Sequence, residues 1–263
     1  MKINYTHNKP IKELAEFLSL EYESIITPLH QIAESEGLSI FYDDYGNAFD
    51  AMTIYDENFF IHMNTKLHNK KDSTRGRFTL AHELGHYFID SHRVGLMSGL
   101  LDPHPSIINN THQFKIEREA DYFASCLLMP EERFRIHCNR RTFSFDLIEE
   151  IASKFNVSKT AAALRFADIG NHEIMVIYAE NNKVKWKWNS SDFPYWKIDS
   201  IDDKPPEDSL MGKYFKNPLD VQKTDQLWAI DWFKDVQYDS ETNKVYEHII
   251  SYKNMVLSVV WPD

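Results

Sequence analysis

Cysteine is scarce in this sequence of 263 residues, which contains only Cys126 and Cys138. Two cysteines cannot build the disulfide framework of a small secreted domain, so we interpret them as free thiols. Eight glycines and ten prolines exclude fibrous and linker-dominated architectures. No apolar run approaches the roughly 18 residues that span a bilayer, and residues 1–10 lack the apolar core of a secretory signal. These absences predict a cytoplasmic protein without a membrane partner.

Basic side chains are also in deficit, because 29 lysines and arginines face 40 acidic residues and give a formal net charge of -11. Sequence-independent binding to DNA or RNA depends on basic surfaces, so this balance disfavours direct nucleic-acid binding. Hydrophobic residues make up 43% of the chain, which excludes wholesale disorder. The length suits one large domain or two modest ones.

Tryptophan is distributed unevenly, since all six tryptophans follow residue 185. A glycine at position 170 closes the last helical pattern of the first part. We therefore predict two domains, 1–170 and 171–263, with the second rich in strands. Hydrophobic periodicity predicts helices over 11–36 (interrupted by a proline), 73–90, 114–129, 130–137, 145–155 and 159–168, and strands over 38–45, 51–55, 59–65, 183–188, 244–252 and 255–261.

The most informative segment is the run His-Glu-Leu-Gly-His at 82–86, inside a predicted helix. On a helix His82 and His86 lie one turn apart on one face, so both rings can bind a single zinc ion. Glu83 follows the first histidine, where its carboxylate can take a proton from a water polarised by the ion. Composition alone gives about 0.04 accidental matches to this pattern in a chain of this length.

A catalytic zinc needs a third protein ligand, and the next predicted helix offers two glutamates. Glu117 shares a face with Asp121, so Glu117 is the favoured ligand and Asp121 is expected to hydrogen-bond the free ring nitrogen of a ligand histidine. Glu119 points to the other side and is expected in solvent, but it stays the alternative ligand. Nitrogen and carboxylate donors favour zinc and leave manganese and iron open.

Three sequence blocks resemble the ImmA/IrrE metallopeptidases. In order along the chain they are RFTLAHELGH at 77–86, EREADYFA at 117–124 and LLMP at 127–130. The resemblance covers about residues 10–170. It implies a gluzincin-like, zinc-dependent enzyme that cleaves a helix-turn-helix repressor at one site and so switches on the silenced genes. Carried over, His82 and His86 match the histidine ligands, Glu83 the general base and Glu117 the third ligand, and Asp121 matches the Glu-x-x-x-Asp spacing of thermolysin-like enzymes.

The predicted fold class is therefore α+β: a zincin-like helical metallopeptidase domain with a small antiparallel sheet, followed by a β-rich C-terminal domain of regulatory or recognition role. The strand at 59–65 is predicted to be an edge strand to which a peptide substrate adds by backbone pairing. Its residues Phe59, Ile61 and Met63 are therefore candidate substrate-binding residues. The group that stabilises the oxyanion stays open among four nearby side chains: Tyr87, His104, His112 and Tyr122.

Two non-proteolytic functions remain as alternatives. Residues 143–170 have helix-turn-helix spacing, which would suit a DNA-binding regulator, but the second helix offers only Lys159 and Arg165 as cations. Packing of these helices within the protein is the preferred interpretation. The other alternative is a protein that keeps the metal site and senses a ligand through its tryptophan-rich half, although aromatic residues in a strand-rich unit more often form a core.

Overall fold

The computed structural model describes residues 9–101, 111–195, 197–198, 203–218, 223–236 and 243–263, with the side chains of 111–114 excepted. By internal contacts the chain groups into two units. The first runs up to Ile136 and includes Ile151–Ser158, and the second contains His137–Glu150 and the chain from Lys159 onward. The domain boundary near residue 170 stays a prediction.

The first unit combines helices with a three-stranded sheet. Its helices are α1 (Lys9–Leu20), α2 (Leu29–Ser35), α3 (Thr74–Phe88), α4 (Asp90–Met97), α5 (Thr111–Leu128) and α6 (Glu131–Cys138). Its strands are β1 (Ser39–Asp43), β2 (Ala51–Asp56) and β3 (Asn58–Asn64). The strand order is β1-β3-β2, with β1 parallel and β2 antiparallel to β3. The small sheet was expected to be antiparallel, but it is mixed. No tight turn joins β1 to β3, because the chain passes through β2 between them, and β1 can therefore lie parallel to β3.

Two helices, α3 and α5, cross at the centre of the first unit. Leu80 and Leu84 of α3 and Phe123 of α5 are fully buried between them. Helix α3 begins where its sequence indicates, because Ser73 is the N-cap residue and its hydroxyl accepts a hydrogen bond from the backbone amide of Gly76. This cap fixes the register of the helix that carries the two histidines.

The second unit is built on a five-stranded antiparallel sheet of order β5-β4-β8-β7-β6. Its strands are β4 (Met175–Glu180), β5 (Lys183–Asn189), β6 (Thr224–Trp228), β7 (Lys244–Tyr252) and β8 (Met255–Pro262). Its helices are α8 (Lys159–Ile169), α9 (Leu210–Lys216), α10 (Ala229–Trp232) and the first part of α7 (Phe145–Phe155). The core lies on one face of this sheet and includes Ile177, Phe233 and Val260.

Hairpin turns in the second unit follow the sequence closely. Asn181 and Asn182 join β4 to β5 with φ of 51° and 58°, and Lys253 lies between β7 and β8 with φ of 54°. Asparagine tolerates this left-handed backbone, so the two-residue Asn-Asn turn suits a tight hairpin. Helices and sheets in both units confirm the α+β fold class. None of the helices in the described ranges has the length and apolar character needed to cross a membrane.

Candidate metal centre

Helix α3 brings the two histidines to one point. His82 and His86 are each 6% exposed, and their Nε2 atoms lie 3.1 Å apart. The helical spacing of four residues explains why both rings leave the same face of α3. The two nitrogen atoms therefore converge on one site rather than on two.

A glycine within the motif allows the neighbouring helix to come close. A Cβ atom placed on Gly85 would lie 3.2 Å from the Cα atom of Ala120 on α5. Because both residues are small, the backbones of α3 and α5 approach at this point, and Glu117 lies one turn before Ala120. The crossing therefore carries the Glu117 carboxylate to the two histidines.

The three candidate ligands form a compact triangle that is largely buried. Glu117 is 7% exposed, with one oxygen 3.3 Å from Nε2 of His82 and the other 3.5 Å from Nε2 of His86. The ligand atoms of the three residues, one from each, all lie within 4.8 Å of one another. The two histidines and the glutamate could therefore hold a metal ion.

Asp121 supports the first histidine from one turn further along α5. Its carboxylate lies 2.9 Å from Nδ1 of His82, so that nitrogen carries the proton and Nε2 is turned toward the other candidate ligands. Burial alone would lower the pKa of His82, but the hydrogen bonds with Asp121 and Glu117 outweigh it and raise the pKa to about 10. The two carboxylates therefore create a field that favours a positive charge at this point.

Glu83 lies next to the histidines in a fixed position. Its side chain is buried, and one carboxylate oxygen accepts a hydrogen bond of 2.7 Å from the hydroxyl of Thr53 on β2. The same hydroxyl lies 3.1 Å from the Glu83 carbonyl oxygen. The sequence contains no signal for Thr53, because nothing in the period-two pattern of a strand shows which helix the strand will cover.

A cleft gives access to this site from solvent. A cavity of about 480 Å³ reaches His82, Glu117 and Asp121. Its other walls come from two loop residues, Asp50 and Ser158, and from the part of α3 that precedes the histidines. The α3 residues are Thr74, Arg75, Phe78 and Thr79. The cleft is large enough to admit several atoms of a polypeptide, and its wall includes both an aromatic ring and charged groups.

Glu119 does not join the triangle, and the expectation that it lies in solvent is wrong. Its carboxylate lies 3.0 Å from Nε2 of His92, and only 17% of its side chain is exposed. Glu119 follows Glu117 by two residues and so leaves the opposite side of α5. The sequence analysis missed His92, because its partner is distant in the sequence and the spacing from His86 fits no metal motif.

The predicted substrate strand is not at the edge of the sheet. Strand β3 pairs with β1 on one side and with β2 on the other, so its backbone is not available to a peptide. Ile61 and Met63 are fully buried, and the ring of Phe59 packs against Tyr87. The prediction of an edge at 59–65 is wrong because β1, which precedes the hairpin, pairs with β3 from the outside. Within the described ranges, the edges of the sheet are β1 and β2.

Other sequence-based candidates have different positions. The hydroxyl of Tyr87 donates a hydrogen bond to Glu36, while His104 and the side chain of His112 lie outside the described residues. In the helix-turn-helix-like segment, Arg165 is 1% exposed and Lys159 forms an ion pair with Glu149. Arg165 is therefore withheld from solvent, and the charge of Lys159, which is exposed, is already paired with a carboxylate.

The site and its helices define a centre of the HExxH metallopeptidase class. The family model of M78 peptidases, described as the IrrE N-terminal-like domain, matches residues 33–167, and the chain belongs to this family. This match confirms the resemblance to ImmA/IrrE proteins.

A solved structure described as a Mycobacterium tuberculosis transcriptional regulator has the same fold. The match has a TM-score of 0.64 and 13% sequence identity, and it covers 98% of this chain and 78% of that one. No curated protein sequence matches the chain significantly.

Proposed function

We propose that the protein is a zinc-dependent endopeptidase that cleaves a helix-turn-helix transcriptional repressor at a specific site. The observation that carries this proposal is the buried triangle of His82, His86 and Glu117. The two Nε2 atoms lie 3.1 Å apart, and the two Glu117 oxygens lie 3.3 and 3.5 Å from them, which brings all three donors within reach of one small divalent ion. Membership of a metallopeptidase family supports the same reaction class.

The chain's own residues divide the chemistry between them. His82, His86 and Glu117 would hold a zinc ion, which would supply Lewis-acid polarisation of the scissile carbonyl and of the attacking water. Glu83 would take a proton from the attacking water and deliver it to the nitrogen of the leaving amine. Thr53 holds one Glu83 oxygen by a 2.7 Å hydrogen bond, which orients the carboxylate. Asp121 fixes the tautomer of His82.

Strand β2 is the candidate for substrate recognition in place of β3. Among the described strands it pairs only with β3, so its second edge has backbone groups for an added strand. Thr53 lies in β2 and contacts Glu83, so a peptide added to this edge would run close to the general base. An added strand pairs with β2 through every second backbone amide. N-methylation of that set of amides in a substrate peptide should weaken binding, whereas N-methylation of the alternate set should have little effect.

A repressor substrate is compatible with the shared fold of a protein described as a transcriptional regulator. It also fits the burial of Arg165 and the pairing of the exposed Lys159 with Glu149, since the protein then acts on a DNA-binding protein rather than on DNA.

The direct experiment is incubation of the zinc-loaded protein with the repressor-like product of a neighbouring gene, followed by mass spectrometry of the fragments. We expect one cleavage site, loss of cleavage with a chelator, and its return when zinc is added. The matched control is Glu83→Gln, which should retain zinc and lose cleavage. If the biological effect survives in the Glu83→Gln variant, proteolysis is not the function.

A further inference from the structure

A second buried histidine lies directly against the metal centre. His92 is on α4, which begins two residues after α3 ends. Its side chain is 1% exposed, and its ring centroid lies 5.2 Å from that of His86 at an interplanar angle of 39°. His86 therefore has the Nε2 atom of His82 near its own Nε2 atom and the ring of His92 against its own ring.

One hydrogen bond holds the His92 ring in place. Its Nε2 atom donates to a carboxylate oxygen of Glu119 at 3.0 Å. Lys115, one turn earlier on α5, forms a 3.4 Å ion pair with the other Glu119 oxygen. The carboxylate is therefore held between two donors, which fixes the position of the acceptor of the His92 hydrogen bond.

The other ring nitrogen has no such support. Nδ1 of His92 is buried and has no hydrogen-bond partner among the described residues. A buried polar atom without a partner reduces stability, so an apolar ring would fill this space at lower cost. The imidazole at this position is explained by the bond to Glu119, which fixes the ring in one orientation.

We propose that His92 is a positioning residue for the metal centre: held by Glu119, it fixes the orientation of the His86 ring. The inference rests on the proposed metal site. The two histidines are then supported in different ways, since Asp121 bonds to His82 directly and Glu119 acts on His86 through an intervening ring. Residues that orient metal ligands commonly change metal affinity by 10–100-fold when they are replaced.

The test compares zinc affinity in four variants of the full chain, measured by competition with a chromophoric chelator. His92→Ala and Glu119→Ala are each expected to weaken zinc binding about tenfold or more. Glu119→Gln should restore most of the affinity, because its amide oxygen accepts the same hydrogen bond. In the double variant, loss of Glu119 should add little to loss of His92, since Glu119 acts through that ring.

Cobalt-loaded protein gives a second measurement that a general loss of stability would not change. The visible d–d bands report ligand geometry, so they should shift in His92→Ala and Glu119→Ala and stay near the wild-type positions in Glu119→Gln. The matched control is His30→Ala, which removes a histidine that hydrogen-bonds Tyr42 at 2.9 Å elsewhere in the same unit. Lys115→Ala controls for the loss of the ion pair.

The outcomes separate the two proposals. If the wild-type chain binds no zinc, both the metal centre and this inference fail. If the wild type binds zinc and His92→Ala binds it equally well with unchanged cobalt bands, only the positioning role is excluded. A loss of affinity in His92→Ala that is no greater than in His30→Ala would likewise overturn it.

Discussion

Each of the two units buries a carboxylate, and the two are surrounded by opposite kinds of partner. In the second unit, Glu247 is fully buried and accepts four hydrogen bonds. The donors are the backbone amides of Leu210 and Met211, the indole of Trp232 and the hydroxyl of Ser258. In the first unit, the oxygens of Glu117 face the Nε2 atoms of His82 and His86.

The comparison shows what distinguishes a structural carboxylate from a candidate metal ligand. Donors on both oxygens of Glu247 offset part of the cost of burial, although burial still raises its pKa, and they tie α9 and α10 to the strands β7 and β8. The oxygens of Glu117 instead point to the same place as nitrogen lone pairs, where only a proton or a cation can satisfy all three groups. Burial of a carboxylate alone therefore indicates nothing about function. What distinguishes the two sites is whether the neighbouring groups are hydrogen-bond donors or nitrogen lone pairs.

The largest effect is expected from Glu117→Gln. A neutral amide is a poor metal ligand, and the loss of one of three protein ligands should weaken zinc binding by roughly 100–1,000-fold. Isothermal titration or chelator competition measures this change. The metal-free protein should unfold at nearly the wild-type denaturant concentration. Zinc affinity within threefold of the wild type would show that Glu117 is not a ligand.

Glu247→Gln should have the opposite profile. The new amide group turns a donor toward surrounding donors, so we expect the free energy of unfolding to fall by about 2–4 kcal/mol, while zinc affinity stays unchanged. Denaturant titration followed by tryptophan fluorescence reports the change, since Trp232 lies in this network. Ser258→Ala is the milder control and should cost about 1 kcal/mol. Equal stability of Glu247→Gln and wild type would refute the structural role.

A smaller effect is expected from Thr53→Val, which keeps the shape of the side chain and removes the hydroxyl that holds Glu83. If Glu83 is the general base, the catalytic constant should fall about tenfold, because a less well oriented base transfers the proton less efficiently. Steady-state kinetics on the cleaved substrate gives this value. Zinc affinity should stay constant, and a change confined to KM would instead point to substrate binding.

The smallest effect concerns pH and the second unit. The ring of His248 stacks on Phe145 with centroids 3.5 Å apart, and burial lowers its pKa to about 4. The unfolded chain takes up this proton near pH 6.5, so the free energy of unfolding should fall as the pH drops from about 6.5 to 4. In His248→Phe this fall should shrink by about 1–2 kcal/mol, the ring being partly open to solvent. Denaturant titrations at pH 7 and 4.5 measure it, and an unchanged difference would contradict the assignment.

Local signals in the sequence were sufficient for the helices that carry the site. The capping serine, the apolar period and the His-x-x-x-His spacing are all encoded within one or two turns, and α3 and α5 lie where the sequence places them. The preference for Glu117 over Glu119 followed from helical phase alone. The hairpins at 181–182 and 253–254 were likewise determined by the residues of their own turns.

Features that depend on distant partners could not be predicted. Strand β3 lies inside the sheet because β1, which precedes the β2–β3 hairpin in the chain, pairs with the edge of β3 that β2 does not use. The partnership of Glu119 with His92 spans 27 residues, and a single sequence contains no signal for it. Helices α9 and α10 are short, and both bond to a carboxylate that comes from β7. Helix α9 donates a backbone amide of its first turn to Glu247, and α10 donates the indole of Trp232.

The contact between Gly85 and Ala120 has a consequence for ion selectivity. A side chain at position 85 would press on the Cα atom of Ala120 and push α5 outward, which would carry the Glu117 carboxylate away from the two histidines. The glycine therefore permits the separations of 3.1 to 3.5 Å that suit an ion with bonds of about 2.0–2.1 Å. Calcium is disfavoured by the donors themselves, because it takes six to eight oxygen ligands and two of the three donors here are imidazole nitrogens.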